Sequence, residues 1–224
     1  MFWTLLLAHL VADYPLQSNW LIRVKRTPWG LALHVAIHLV VMSVLVWPIL
    51  PQVWRVVAAI GVFHFALDAG KNALTVRRPQ WHVSSYLTDQ ALHVTSLWLA
   101  AAWVSRHLAA VAPPLQPSLA ILLSGYLFAT YIWFISERIF AHRDEIYQEE
   151  IHRFALVRMG ARGLLLTVFL LAGRPMSGEG RLALVLGLPL PYVSGVNRRR
   201  AALTDVLVAF TTACVILIFS AQQP

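Results

Sequence analysis

Histidines and aspartates recur four residues apart in the first half of this chain, inside segments otherwise built from Leu, Val and Ala. His9, Asp13 and Gln17 form one such set, and His34 with His38 a second. His64 and Asp68, followed by Lys71, form a third. Asp89 and His93, with Gln90 beside the aspartate, form the fourth. At about 3.6 residues per helical turn, each set falls on one face of a helix. Imidazole and carboxylate are the nitrogen and oxygen donors that zinc, iron and manganese accept. A pair at i and i+4 can aim two donors at one ion.

These residue types define a candidate divalent-metal site with His9, Asp13, His34, His38, His64, Asp68 and His93 as ligands, zinc being the first choice and iron or manganese the alternatives. Such an ion lowers the pKa of a bound water and polarises a scissile bond. Asp89 is then the candidate general base, and Lys71 the cation that holds a substrate phosphate. That chemistry describes a metal-dependent hydrolase for a lipid or lipid-linked phosphoester. Other uses of the same residues stay open. Buried histidines also hydrogen-bond across helix bundles, and His/Asp chains carry protons or ions in transporters. Histidine is an ordinary axial ligand of a tetrapyrrole. A non-enzymatic transporter, a proton relay, and a structural or cofactor-binding subunit of a membrane complex are therefore the competing readings.

The elements that must position these groups follow from composition. The 224 residues are 58% apolar and 12% charged, with mean hydropathy +0.65. Soluble domains run nearer 45–50% apolar and about 25% charged. A water-soluble enzyme, a disordered chain and a secreted mini-domain are excluded, and an all-α, polytopic transmembrane helix bundle of 6–8 membrane helices remains. A span needs about 20 mostly apolar residues. Runs of that kind are predicted near Phe2–Ile22, Trp29–Trp47, Val53–Leu74, Tyr86–Val104, Ser118–Phe140 and Ala201–Ser220, with shorter runs at Met159–Ala172 and Leu182–Val196. The two short runs read as a re-entrant or tilted hairpin. The first run lacks a basic stretch before it and is expected to be retained, not cleaved. The single cysteine, Cys214, excludes an internal disulfide.

Of the 18 Lys and Arg residues, 14 fall on one side when the runs alternate, Arg158 and Arg162 among them. That asymmetry predicts a cytoplasmic basic face with both termini outside. The charge of +8 is thus topological, with anionic headgroups and not nucleic acid as its partner. Measured along straight helices from their cytoplasmic ends, Asp13 and His38 lie about 14 Å deep and Asp68 about 9 Å, a single polar slab in the cytoplasmic half. The segment 142–158 reads as a short amphipathic cytoplasmic helix, and Glu137–Arg138 as an interfacial ion pair. Seven Trp residues near predicted span ends fit an interfacial belt. The Pro-rich turn Ala112–Pro117 divides a four-helix unit, 1–112, from a C-terminal half, 113–224.

The segments LLLAHLVADYPLQSNWLIRVKR, LHVAIHLV, FHFALDAGK and LTDQALHV, in that order over residues 1–105, resemble the bacterial integral membrane family DUF3307. The resemblance implies placement in a bacterial inner membrane and the four-helix polar unit, and no activity. The H-x3-D helix also resembles inner-membrane proteins described as predicted metal-dependent hydrolases. Membrane lipids, a lipid-like substrate, and a homo-oligomeric or membrane-complex partner are the expected associations.

Overall fold

The structure, a computed structural model, describes residues 1–108, 111–173 and 198–222, and the described residues are helical, with no strand among them. The chain divides into two compact units, Met1–Ala120 and Ile121–Pro224. Among the described residues, five stretches are long and apolar enough to cross a membrane: Pro28–Leu45, Trp47–Arg77, Pro117–Phe140, Ala155–Ala172 and Arg199–Ala221. The predicted run Leu182–Val196 lies outside the described residues.

The first unit is built from α1 (Phe2–Asp13), α2 (Asn19–Val24), α3 (Pro28–Leu45), α4 (Leu50–Arg77) and α5 (His82–His107). Helix α1 packs on α3 and α5, α3 on α4, and α4 on α5, which closes a four-helix ring. The predicted first run is not one helix. Pro15 has no N–H to donate and crowds the residue before it, so α1 stops at Asp13 and the short α2 restarts at Asn19. Gln17 therefore sits in the turn, and depth reckoned along a straight helix from Ile22 does not apply to His9 or Asp13. Ser18 caps α2, its Oγ accepting from the Leu21 N–H at 3.2 Å. Thr27 caps α3 through Gly30 N–H at 3.2 Å, with Pro28 in the first turn. A Cβ on Gly30 would strike the Val24 carbonyl, so glycine is what lets α3 start hard against the end of α2.

The buried stripe of each ring helix changes character along its length. Leu5 and Ala8 lead to His9 on α1, and Val53, Val57 and Ile60 lead to His64 and Asp68 on α4. On α3, His34 and His38 lead to Met42; on α5, Asp89 and His93 lead to Leu97, Ala101 and Val104. One layer of the bundle is thus an aliphatic core and the next is polar. The outward faces are apolar: Val62 and Phe63 are 70% and 62% exposed beside His64 at 3%. Helices that hide imidazoles and present Val and Phe are arranged for hydrocarbon surroundings.

The second unit takes in α6 (Pro117–Leu127) from Ile121 onward, a π-helical turn at Phe128–Ile132, α7 (Trp133–Phe140), α8 (Glu145–Arg153), α9 (Ala155–Ala172) and α10 (Arg198–Ala221). The predicted amphipathic segment is the shorter α8, capped by Asp144 and ended at Phe154, and Arg158 belongs to α9. Arg158 and Arg162 are not free surface charges. Arg158 grips Asp205 with two nitrogens at 3.0 and 2.7 Å and reaches Glu137 Oε1 at 2.9 Å. Arg162 donates to Asp205 Oδ1 at 2.7 Å. Two arginines and two carboxylates neutralise one another, as buried charges must. Glu137 is accordingly buried against Arg158, and the pairing expected with the exposed Arg138 does not form. The π turn releases carbonyls from the helical ladder, and Arg162 takes those of Ala129 and Thr130 at 2.6 and 3.0 Å.

Tyr147 on α8 donates to Glu137 Oε1 at 2.5 Å. Burial and the adjacent Glu137 carboxylate push its phenol up from 10.0 to about 12. A phenol whose folded pKa is raised contributes stability that is complete below its ordinary pKa and lost as pH rises through the folded one. Tyr147→Phe is therefore expected to cost about 1–3 kcal/mol at neutral pH, with the deficit closing between pH 10 and about 12. Tryptophan-monitored unfolding in detergent across that range checks it; equal stability at pH 7 refutes the assignment.

Candidate metal centre

Four helices deliver the polar layer, and Asp13 at the end of α1 is its hub. Its Oδ1 lies 3.1 Å from His34 Nε2 and 3.1 Å from His38 Nε2. The same oxygen is 4.0 Å from His64 Nε2, and Oδ2 is 3.4 Å from His9 Nε2. Asp68 Oδ2 lies 3.3 Å from His34 Nε2 and 3.5 Å from His64 Nε2, and the last two nitrogens are 3.2 Å apart. Asp13, His34, His38 and His64 form one group able to hold a metal ion; His64, Asp68 and His93 form another. All seven residues singled out as ligands from the sequence are thus in one buried neighbourhood.

The donor set fits a metal on two grounds. First, tetrahedral donors bound at about 2.0–2.1 Å are separated by about 3.4 Å, and the donor pairs here span 3.1–4.0 Å. Second, an imidazole nitrogen offers one direction, either a lone pair or an N–H. His34 Nε2 nevertheless faces Asp13, Asp68, His64 and, at 3.5 Å, Lys25 Nζ. Only one of these can be its hydrogen-bond partner, whereas donors crowded on a common point satisfy a cation together. The Nδ1 atoms of His34 and His38 are buried without a partner, a cost that tight coordination at Nε2 would have to exceed.

The other two sequence candidates stand beside this cluster. Lys71 Nζ is 2.6 Å from Asp89 Oδ2, so the proposed anion binder and the proposed base are paired with each other. Asp89 is outside both ligand groups, and its Oδ1 is buried without a hydrogen bond. The Lys71 side chain keeps 26% exposure against 4% for Asp89, which makes it the accessible member of the pair.

Four residues unmarked in the sequence also belong to the site. Lys25, at the end of α2, donates to Asp68 Oδ2 at 3.2 Å. Asn72 Nδ2 donates to the Lys25 carbonyl at 2.9 Å and fixes that junction on α4. Tyr14 OH meets Tyr86 OH at 2.7 Å and donates to Gln90 Oε1 at 3.3 Å, while Gln90 Nε2 points to Asp13 Oδ2 at 3.5 Å. Gln17 Nε2 donates to the Asp13 carbonyl at 3.0 Å despite its place in the turn. Lys25 lies in a basic run that reads as topological, and nothing in its spacing distinguishes it from Arg23 or Arg26.

The family described as "Protein of unknown function (DUF3307)" matches residues 1–118, which contain the whole polar layer. No curated protein and no solved structure matches the chain.

Removing the hub charge strands the histidines around it. Asp13→Asn is expected to destabilise the fold by about 3–5 kcal/mol, as loss of one partner from a buried charged cluster does. Gln17→Ala, which deletes a single partly exposed amide, serves as the comparison and is expected to cost about 1 kcal/mol. Thermal unfolding of the two variants side by side decides; equal midpoints would remove Asp13 from its central place.

Proposed function

The chain belongs to the DUF3307 family, and we propose that its first unit is an intramembrane metal-dependent hydrolase whose substrate is a lipid or lipid-linked phosphoester. One observation carries the reading: the Nε2 atoms of His34, His38 and His64 converge with Asp13 Oδ1 and Asp68 Oδ2 inside an otherwise apolar bundle. Zinc suits three imidazoles with carboxylate oxygen, and iron or manganese would accept the same donors. A divalent cation held there would acidify water and polarise the scissile bond.

The chain's own groups supply the rest. In phosphoester hydrolysis a water oxygen bonds to phosphorus, the ester P–O bond breaks, and the departing alkoxide takes up a proton. Asp89 Oδ1, buried without a hydrogen bond and 3.6 Å from His93 Nδ1, is the acceptor for the water's proton and its source for the leaving oxygen. Lys71, released from Asp89 when a phosphate oxygen takes its place, orients the substrate and frees the base in one movement. The apolar outer faces admit an acyl or prenyl chain from the bilayer. The reading places the protein in a bacterial inner membrane, with the Lys- and Arg-rich helix ends toward the cytoplasm.

A proton relay without metal is the second reading, and Lys25 is the observation in its favour, since its ammonium already pairs with Asp68 and His34.

Protein purified in detergent without chelators is expected to carry transition metal by elemental analysis and to lose it on dialysis against a strong chelator. His34→Ala and His64→Ala are expected to weaken metal binding at least about 10–100-fold, the loss typical of disturbing groups that merely support ligands. Phosphate release from a synthetic lipid phosphoester should follow metal content and fall in Asp89→Asn with metal retained. Wild-type protein that neither carries nor takes up zinc, iron or manganese would exclude the hydrolase and leave the relay.

A further inference from the structure

The polar layer holds more donors than one ion can use. Structural and catalytic zinc sites take three or four protein ligands, whereas six residues fall in the two ligand groups, and His9 adds a seventh. The two groups share His64. One ring nitrogen cannot serve two ions, so the groups describe alternatives for His64 or two ions with different histidines.

His93 decides between them. Its Nδ1 lies 2.8 Å from its own helix's Asp89 carbonyl, a partner that can only accept, so Nδ1 carries the proton and donates. Nε2 is therefore the bare lone pair, and it is buried with no partner in a residue 2% exposed. A histidine that donates one ring N–H to a backbone carbonyl and aims the other nitrogen inward has the usual preparation of a metal ligand. His93 does not belong to the group around Asp13, where the first ion is placed. Its ring lies 4.3 Å from that of His64 and 5.1 Å from that of His9, whose Nε2 is also buried without a hydrogen bond.

The carboxylates are set to be shared. Asp13 turns Oδ1 toward His34 and His38 and Oδ2 toward His9. Asp68 Oδ2 stands between His34 and His64 at 3.3 and 3.5 Å. Carboxylates that span two histidine pairs are the bridges of two-metal hydrolytic centres, whose ions sit about 3.5–4 Å apart.

From this we infer that the centre is binuclear: one ion held by His34 and His38, a second by His64 and His93 with His9 alongside, and Asp13 and Asp68 shared between them. The inference rests on the metal-centre reading and adds its nuclearity. It also narrows the substrate, because two dications facing two carboxylates leave a net positive centre that a phosphoester anion neutralises.

The test uses the full-length chain in detergent, stripped and then titrated with Mn2+. Bound manganese is counted by elemental analysis, and low-temperature electron paramagnetic resonance reads its coupling. Two equivalents per chain with an exchange-coupled spectrum are expected, falling in His93→Gln to one equivalent with an isolated six-line signal. One equivalent in the wild type overturns the second site and leaves the single-ion reading intact. Two equivalents without coupling overturn the shared carboxylates. Two coupled equivalents retained in His93→Gln overturn the assignment of His93. No binding at all overturns this inference together with the metal reading beneath it. Should His93→Gln not fold, wild-type stoichiometry and coupling decide alone.

Discussion

Burying a carboxylate in a hydrocarbon-facing bundle is tolerable only when something neutralises it, and Asp13 imposes that condition on the first unit. Its two oxygens reach histidines from α1, α3 and α4, while Gln90 approaches from α5. An uncompensated charge at this position would cost several kcal/mol, so the four helices are tied to one register by electrostatics and not by apolar packing alone. The aliphatic layer of Leu5, Met42, Val57 and Leu97 can tolerate small slips in side-chain packing. The polar layer cannot, because a hydrogen bond lengthened by half an ångström is largely lost.

The second unit meets the same condition with a different chemistry. Arg158 and Arg162 face Glu137 and Asp205 in equal number, and Tyr147 takes up a further carboxylate lone pair. Guanidinium cannot give up its proton in a protein, so this cluster has fixed charges, whereas imidazoles can exchange a proton or bind an ion. The contrast separates a cluster suited to holding helices from one suited to reactivity. The π turn at Phe128–Ile132 supports that division, because the carbonyls it frees are spent on Arg162 and not left for a ligand.

Much of the first cluster was legible because its spacing is periodic. Pairs four residues apart on α1, α3, α4 and α5 had to be co-facial, and a costly face inside an apolar helix had to point inward. What escaped were contributions carried by turns. Pro15 breaks the first run and lets Lys25, reading as one more basic residue at a span end, fold back onto Asp68. In the second unit a signal existed and was outweighed: Arg158 and Arg162 are also four apart, and Asp205 lies inside an apolar run. Positive charge near span ends has a ready topological meaning, which hides an internal pairing whose acidic partners come from distant segments. Only the three-dimensional closure of α9 on α10 brings Asp205 to those arginines.

Lys25 ties the folding of the site to its chemistry. Asp13 and Asp68 bring two carboxylates into the layer, and the Lys25 ammonium pairs with one of them at 3.2 Å. The layer can therefore assemble with an internal cation in place of a bound one, and the penalty for the remaining charge is spread over histidine N–H donors. A dication entering the same space finds ligands already gathered, at the expense of crowding an ammonium that the four-carbon lysine stem can move aside. In the proposed centre, each ion would turn the local balance positive. A centre of that sign, walled by α3, α4 and α5 faces that present Val and Phe outward, would attract an anion with an apolar body. A free inorganic anion would have to leave water for such surroundings, whereas a lipid-borne phosphate would arrive with its chain already solvated by the bilayer, and that difference is the argument for proposing a lipid-linked substrate.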